Sequence, residues 1–550
     1  MQSARITFYP SKITGTVPKG ITVLEAAGRL GIDMEGPCGG TGKCGKDLVQ
    51  VRTNKTLDTV LACKTRIESD LEVIVPFLER KTLKTVECFF SDGMRTKTVN
   101  SCVKKEVIPG DRDICSTKVY VNNALVSVED GNTRAQSYGV ALDIGTTTLV
   151  AALINLNSGE IAGSSGMLNP LVTYGHDVMS RIKYSASQKD GLLKMHRELI
   201  SAVNLLVNLL SSERGIRKEN IYQVAGAGNT TMQHIFANKE IKGIGEYPYK
   251  PETLDVFTTT AMELSLDVNG YAPVTTFPCI SAYVGGDIVS GLIAVDPQCT
   301  ELPAIFLDIG TNGEMVLLLN GRMVATSTAA GPCFEGMTIS SGMRAGEGAI
   351  ERVNLGEELS VEVIGNCPPQ GICGSGLLDI VSELLRVGLI NSRGRLQGKE
   401  GKEIPEKYKK YLCERDGKRH FQLSDGVSLS QEDIRQVQLA KAAIRSGVEI
   451  LLAACDIKPE DVKTVIIAGA FGYHLKQESL FRTGFLPELR NARLLYVGNS
   501  SLEGAVRLLL DKELIRESVR IAGNAQVVEL SQIPGFEDIF VREMHFSKSV

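Results

Sequence analysis

The chain has 550 residues, which at about 100–200 residues per domain corresponds to roughly three to five domains and excludes a single small module. The 60 Lys and Arg against 64 Asp and Glu leave a formal charge of −4, and 43% of the residues are hydrophobic, a balance that excludes both a disordered chain and a strongly basic nucleic-acid binder. The sequence does not open on a basic segment followed by an apolar core, and no stretch reaches the ~18 apolar residues of a membrane span, so a cytoplasmic protein without membrane contact is expected.

Thirteen cysteines, an odd number mostly isolated from one another, read as reduced thiols. Glycine is in excess, 55 of 550 residues against a usual ~7%, which points to ligand loops lined by backbone. Both signals meet near the start of the chain. Ala4 to Tyr9 reads as a strand, Lys12–Thr16 as its hairpin return, and Thr22–Leu30 as a helix opened by a Thr22-x-x-Glu25 capping box. A Gly-rich loop follows from Gly36 to Asp47, holding Cys38 and Cys44, then strand-like Leu48–Arg52 and Val60 to Cys63. Backbone N–H groups of such a loop stabilise the negative charge of thiolate and sulfide.

The strand, hairpin, helix and Cys-loop order resembles the β-grasp of [2Fe–2S] ferredoxins, and the resemblance implies that Cys38, Cys44 and Cys63 are cluster ligands. The family pattern has a fourth thiolate. Here the spacing is Cys38-x5-Cys44-x2-Asp47-x15-Cys63, with a carboxylate in the third position. Asp47 is the favoured fourth ligand; the alternatives are a solvated Asp47 with Cys88 or another thiol completing the cluster, or a cluster that is lost. A harder anionic ligand favours ferric iron and pulls the potential below the plant-type value of about −400 mV. The ferredoxin-like domain is placed at 1–78, and 79–136, with mixed charge and turn clusters such as Pro109-Gly110-Asp111, reads as a linker.

Tyr138 to Ala151 reads as a buried strand, a Gly/Thr turn and a second strand, with Asp143, Gly145, Thr146 and Thr147 at the turn. Nearly the same pattern recurs from Ala304 to Val316, with Asp308, Gly310, Thr311 and Asn312; 308 − 143 is 165 residues, the length of a whole lobe. An Asp ending a buried strand holds Mg²⁺ through water, Gly lets backbone approach phosphate oxygens, and Thr or Asn donates to them. A third stretch, Val465 to Gly472, is a buried strand entering a small-residue turn at Gly469 and Gly472 that admits a flat adenosine.

In this order the three elements resemble the actin, sugar kinase and heat-shock ATPase superfamily, which implies two ribonuclease-H-like lobes, here 137–300 and 301–550, following the β-grasp domain in an α/β multidomain chain. Val224 to Met232 has the strand-to-helix form of a lobe-connecting segment. Asp287, ahead of the apolar helix Ile288–Ala294, either orients an attacking water or caps that helix. Gly371 to Gly376 opens an apolar helix, Leu377–Leu385. On the long helix Ser430–Leu452, Lys441 and Arg445 are candidate nucleotide contacts or solvated residues, and Cys333, Cys367 and Cys373 read as buried thiols. His176-Asp177 is the one adjacent His–acid pair.

A one-electron centre and an ATP clamp in one chain, with no flavin or nicotinamide motif, suggest that nucleotide drives an uphill electron transfer; for one electron ~59 mV is about 1.4 kcal/mol, so a few hundred mV needs an ATP-scale input. The combination is similar to the reductive activators of corrinoid proteins found with cobamide-dependent methyltransferases and O-demethylases of anaerobes. That resemblance implies ATP-dependent return of one electron to Co(II), giving Co(I). It implies a [2Fe–2S] cluster, ATP and Mg²⁺ as cofactors, with Mg²⁺ held through water by Asp143 and Asp308. Its implied partners are a corrinoid protein and a low-potential ferredoxin or flavodoxin donor, with no nucleic acid; a homodimer is compatible with it. Two other readings share parts of the pattern: a small-molecule kinase of the same superfamily, and a dehydratase-type ATP-coupled activator.

Overall fold

The computed structural model describes residues 3–9, 13–32, 34, 42, 47–52, 57–74, 99–109, 115–295, 300–401, 404–415, 417–469, 475–489 and 491–546. The chain divides into two compact units, the first comprising Met1–Val86, Thr98–Thr276 and Leu508–Lys512, the second Glu87–Lys97, Phe277–Arg507 and Glu513–Val550.

The first unit begins with the ferredoxin-like part: β1 (Ser3–Tyr9), β2 (Ile13–Pro18), helix α1 (Val23–Arg29), β3 (Leu48–Arg52), β4 (Leu57–Leu61) and β5 (Leu71–Ile74). These strands form one sheet in the order β2-β1-β5-β3-β4, with β5 parallel to β1. Alternation in β1 drives Ala4, Ile6 and Phe8 into a core with Val23, Ala26, Val49 and Val73, while the period of two leaves Arg5 outside. The capping box forms as expected: Glu25 N–H donates to Thr22 Oγ1 at 3.1 Å and Thr22 N–H to Glu25 Oε2 at 2.8 Å.

The 79–136 stretch, expected to be a linker, carries a three-stranded antiparallel sheet over its second half: β6 (Val103–Pro109), β7 (Cys115–Val121) and β8 (Ala124–Asp130). Its charges hid the strands. Lys105 is buried, its ammonium donating to Glu129 at 2.8 Å, to the Gln136 carbonyl at 2.8 Å and to the Tyr222 hydroxyl at 3.0 Å. Val119, Val121 and Cys102 pack on the same fully buried Tyr222. A mixed-charge composition thus covers a satisfied buried network rather than a solvated tether.

The rest of the first unit is one ribonuclease-H-like lobe. Strands β9 (Tyr138–Ile144), β10 (Thr148–Asn155), β11 (Ile161–Leu168), β12 (Ile221–Ala227), β13 (Phe257–Thr260) and β14 (Pro273–Thr276) form a sheet in the order β11-β10-β9-β12-β14-β13. Strands β9 to β11 are an antiparallel meander, and β12 and β14 add in parallel. Helices α2 (Val178–Ser187), α3 (Gly191–Arg214), α4 (Thr230–Phe236) and α5 (Lys242–Gly245) complete it. Asp177 turns out to be the N-cap of α2, accepting from Ser180 N–H at 2.7 Å.

The second unit opens with α6 (Gly286–Val295) and repeats the pattern: β15 (Ala304–Ile309), β16 (Gly313–Leu319) and β17 (Arg322–Thr328) form the meander. Two small three-stranded sheets follow, β18 (Ala349–Leu355), β19 (Leu359–Val363) and β20 (Gly371–Ile372), then β21 (Leu412–Arg415), β22 (Lys418–Ser424) and β23 (Val427–Ser430), with α7 (Gly374–Arg386) and α8 (Glu406–Lys409) between. After α9 (Gln431–Ala454) come β24 (Thr464–Ala468), α10 (Gln477–Arg482), β25 (Arg493–Gly498), α11 (Ser500–Leu510), α12 (Leu514–Asn524), β26 (Ala525–Val527) and α13 (Phe536–Glu543). The main sheet runs β25-β24-β15-β16-β17-β26.

Helix α9 corrects one expectation. Lys441 is neither a nucleotide contact nor solvated: it is 1% exposed and its ammonium donates to the backbone carbonyls of Glu543 and His545, each at 2.6 Å. Gln438 adds a bond to the Met544 carbonyl at 2.7 Å, so two side chains of α9 cap the carboxyl end of α13. Arg445 joins this network through Glu449 at 2.8 Å and Glu543 at 3.5 Å. Burial lowers the Lys441 pKa to about 8, against the opposing pull of Glu543. Of the three cysteines expected to be buried, Cys333 and Cys373 are, whereas Cys367 is half-buried.

Candidate functional site

The internal duplication holds at the level of strand register. Asp143 and Asp308 are each the penultimate residue of the first meander strand, β9 or β15. Beside them the parallel strand places Ala227 opposite Asp143 and Ala468 opposite Asp308. The next residue is glycine in both copies, and for the same reason. A Cβ on Gly228 would lie 2.6 Å from the Ile144 carbonyl oxygen, and a Cβ on Gly469 would lie 2.7 Å from that of Ile309. Gly469 also has φ +93°, a conformation that side chains resist.

In the first unit, the turn Gly145-Thr146-Thr147 is held from three sides by buried polar groups. Asn169 Nδ2 donates to the Gly145 carbonyl at 2.7 Å, and Asn169 N–H to the Thr147 carbonyl at 2.9 Å. Arg181, fully buried on α2, donates to the Thr146 carbonyl at 2.5 Å and to that of Gly175 at 3.1 Å. Asn229 Nδ2 donates to Thr146 Oγ1 at 2.8 Å. Thr146 and Thr147 are themselves 9% and 5% exposed.

In the second unit, Asp308 faces Glu314 across the β15–β16 ladder. Glu314 is buried, accepts from the Asn312 side chain, and feels both Asp287 and Asp308; burial first, then these two carboxylates, push its pKa well above the ordinary range. The fold thus brings Asp287, Asp308 and Asn312 together and adds Glu314. Asp287 sits in the first turn of α6, with Oδ1 accepting from the neighbouring Ile288 N–H at 2.9 Å. Thr311 Oγ1 donates to Glu335 at 2.5 Å, so its proton is committed there. Among the described residues a Cβ at Gly310 would meet nothing nearer than the Asn312 carbonyl oxygen at 3.8 Å, so their packing does not demand glycine at this position. Gly472 lies outside the described residues.

Of the expected cluster ligands, Cys38 and Cys44 lie outside the described residues, as does Cys88. Asp47 and Cys63 lie at adjoining ends of β3 and β4. Asp47 is 1% exposed, and its Oδ2 accepts from Cys63 N–H at 2.6 Å. Its Oδ1 is buried with no hydrogen-bond partner among the described residues. Asp47 is therefore not a solvated strand-start residue, and Cys63 is buried beside it.

Asn169, Arg181 and Glu314 were not picked out by sequence reasoning, and Asn229 was seen only as part of a connector. Arg181 carried a usable signal: with Val178 and Ile182 it falls on the i, i+3, i+4 stripe of α2, so it had to be buried. Asn229 follows a Gly that repeats the Ala-Gly pattern of Ala468-Gly469, which marked it as lying over the first turn.

Two family profiles match the chain: the RACo middle region over residues 138–299, and the C-terminal domain of RACo, the ASKHA domain, over residues 303–549. A corrinoid activation enzyme, RamQ, from Eubacterium limosum is 28% identical over 575 residues, covering 96% of each chain. The [Co(II) methylated amine-specific corrinoid protein] reductase of Methanosarcina barkeri is 26% identical over 422 residues, covering 70% of this chain and 72% of the other. A solved structure described as a reductive activator for corrinoid, iron-sulfur protein superposes with a TM-score of 0.75 at 30% identity, over 99% of this chain and 98% of that one. With its β-grasp sheet and two ribonuclease-H-like lobes, the chain belongs to the family of reductive activators of corrinoid proteins.

Proposed function

We propose that the protein carries out ATP-dependent reductive activation of a corrinoid protein in a methyltransferase system, returning cobalt from Co(II) to Co(I). The observation that carries this reading is likeness along the whole chain, 99% of it, to a reductive activator, so that the β-grasp part and both lobes are shared together. A kinase would need only the lobes.

A [2Fe–2S] cluster, when bound, supplies a one-electron centre; Cys38, Cys44, Asp47 and Cys63 would hold it. The described residues fit that role. A buried carboxylate oxygen with no partner is costly unless a cation or donor satisfies it, and Asp47 presents beside Cys63 an oxygen that has none among the described residues. Asp47 Oδ2 is held by backbone, which fixes the orientation of Oδ1.

For the nucleotide, the two hairpins supply different chemistry. Gly145, Thr146 and Thr147 bind phosphate oxygens from a pre-set turn, and Gly310, uncrowded by the described residues, lets a phosphate approach backbone. Asp143 and Asp308 orient Mg²⁺ through its water ligands, and mutual repulsion among Asp287, Asp308 and Glu314 is relieved by a divalent cation. Asp287 orients the attacking water, and Gly469 and Gly472 make the adenosine turn. A ferredoxin or flavodoxin is the class of electron donor.

The test is the visible spectrum of an anaerobic mixture of this protein, a Co(II) corrinoid protein and a low-potential reductant, with and without MgATP. The Co(I) band is expected only with MgATP and is lost in Asp143→Ala and Asp308→Ala, both of which keep their reduced-cluster spectrum. Normal activation by both variants would sink the clamp assignment.

A further inference from the structure

Asn169 and Asn229 are both helix N-caps, and both split their amide in the same way. Asn169 Oδ1 accepts from Leu171 N–H at 3.0 Å and so caps the short 3-10 turn Pro170–Thr173, while its Nδ2 reaches the Gly145 carbonyl. Asn229 Oδ1 accepts from Met232 N–H at 3.0 Å and caps α4, while its Nδ2 reaches Thr146 Oγ1. Asn169 is 0% and Asn229 9% exposed, so neither amide is there for solvation.

Capping alone does not explain asparagine. Ser, Thr and Asp cap as well, because the cap needs only an acceptor oxygen. The amide is required by its other half, the NH2 donor, which none of those residues has. At Asn229 the consequence is specific. With an N–H seated on one lone pair of Thr146 Oγ1, the hydroxyl proton must point elsewhere, away from Asn229. Arg181 fixes the carbonyl of the same Thr146, so neither the peptide nor the hydroxyl can rotate freely.

We propose that Asn169 and Asn229 are positioning residues for nucleotide, fixing the Gly145-Thr146-Thr147 turn and orienting the Thr146 hydroxyl as a proton donor to a phosphate oxygen. This rests on the nucleotide reading of that turn and adds to it the groups that set the polarity of its hydrogen bonds.

Asn229→Asp isolates the effect in the full chain. The carboxylate keeps the oxygen that caps α4 but presents an acceptor to Thr146, which then turns its proton toward Asp and away from phosphate. MgADP is the probe, titrated calorimetrically, with steady-state ATPase alongside. Asn229→Asp should raise the MgADP Kd and the KM for MgATP at least tenfold, while kcat at saturating MgATP falls less than threefold and the thermal midpoint without nucleotide stays within 2 °C. Thr146→Ala should show the same loss, and the double variant should be no worse than either single one. Should Asn229→Asp fail to fold, Asn229→Ser, which caps but ends short of Thr146, carries the test, with a loss of at least fivefold. MgADP affinity within twofold of wild type in the folded variant, or losses that multiply in the double variant, would overturn the proposal while leaving the nucleotide reading intact. A wild-type protein that binds no MgADP would overturn both.

Discussion

Replacing Lys441 by methionine removes one titrating group whose burial has a calculable effect on stability. The ammonium is 1% exposed and held by two carbonyl oxygens, and burial brings its pKa from 10.5 to about 8. At 1.36 kcal/mol per pH unit, that displacement disfavours the charged form in the folded protein by about 3 kcal/mol. The sign follows from proton counts. Below pH 8 both folded and unfolded chains carry the proton and the full cost is present. Between about 8 and 10.5 the folded protein has released it while the unfolded chain has not, so stability from this group rises with pH. From pH 7.5 to 9.5 the gain is about 2 kcal/mol, which at roughly 1–2 °C per kcal/mol for units of this size is about 2–4 °C in thermal midpoint. Methionine has no proton to lose. The two lost carbonyl bonds set a constant offset between the proteins, so the assay is the difference in midpoint, wild type minus Lys441→Met, at pH 7.5, 8.5 and 9.5. That difference should grow with pH by the stated amount; parallel curves would refute the buried-ammonium account.

Glu314 works in the opposite sense. Its raised pKa means that stability is lost as pH climbs above the ordinary carboxyl range, so Glu314→Gln should melt above wild type at pH 8 without Mg²⁺. The gap should close toward pH 5, and a gap independent of pH would contradict the assignment. Gly469→Ala places a methyl 2.7 Å from the Ile309 carbonyl oxygen and 3.1 Å from Asp308 Oδ1, at φ +93°. A cost of about 1–3 kcal/mol in stability is expected, together with weakened MgADP binding; a calorimetric titration indistinguishable from wild type would remove Gly469 from the site. Asp47→Ala should lower iron content and the visible absorption of the purified protein, whereas Asp47→Cys should keep both. An unchanged spectrum in Asp47→Ala takes Asp47 off the ligand list.

Much of the fold was legible because its signals are local. The capping box fixed the start of α1, the period of two fixed β1, and the spacing from Asp143 to Asp308 exposed the repeated lobe. What stayed hidden was charge that had gone inside. Lys441 follows Ile434 and Val437 at helical spacing and precedes Ile444 and Val448, on the apolar stripe of α9; chemistry suggested solvent where position already said core. Lys105 and Glu129 misled in the same way, since each is satisfied by a partner far along the chain. The Gly145-Thr146-Thr147 turn showed its own residues but not the ones behind it. Asn169, Arg181 and Asn229 come from three elements that meet only in the folded lobe, and no spacing in the sequence joins them.

The two hairpins share the same register and the same glycine over the same isoleucine carbonyl. They differ in hydrogen-bond polarity. In the first copy Thr146 accepts a hydrogen bond from Asn229; in the second the corresponding Thr311 donates one to Glu335, and carboxyl groups gather around Asp308. The first turn is surrounded by hydrogen-bond donors, the second by carboxyl groups. One backbone shape thus sits in two different hydrogen-bonding surroundings, and exchanging the two hairpin sequences would set Thr146 beside Glu335 and Thr311 beside Asn229, each with a partner of the opposite polarity.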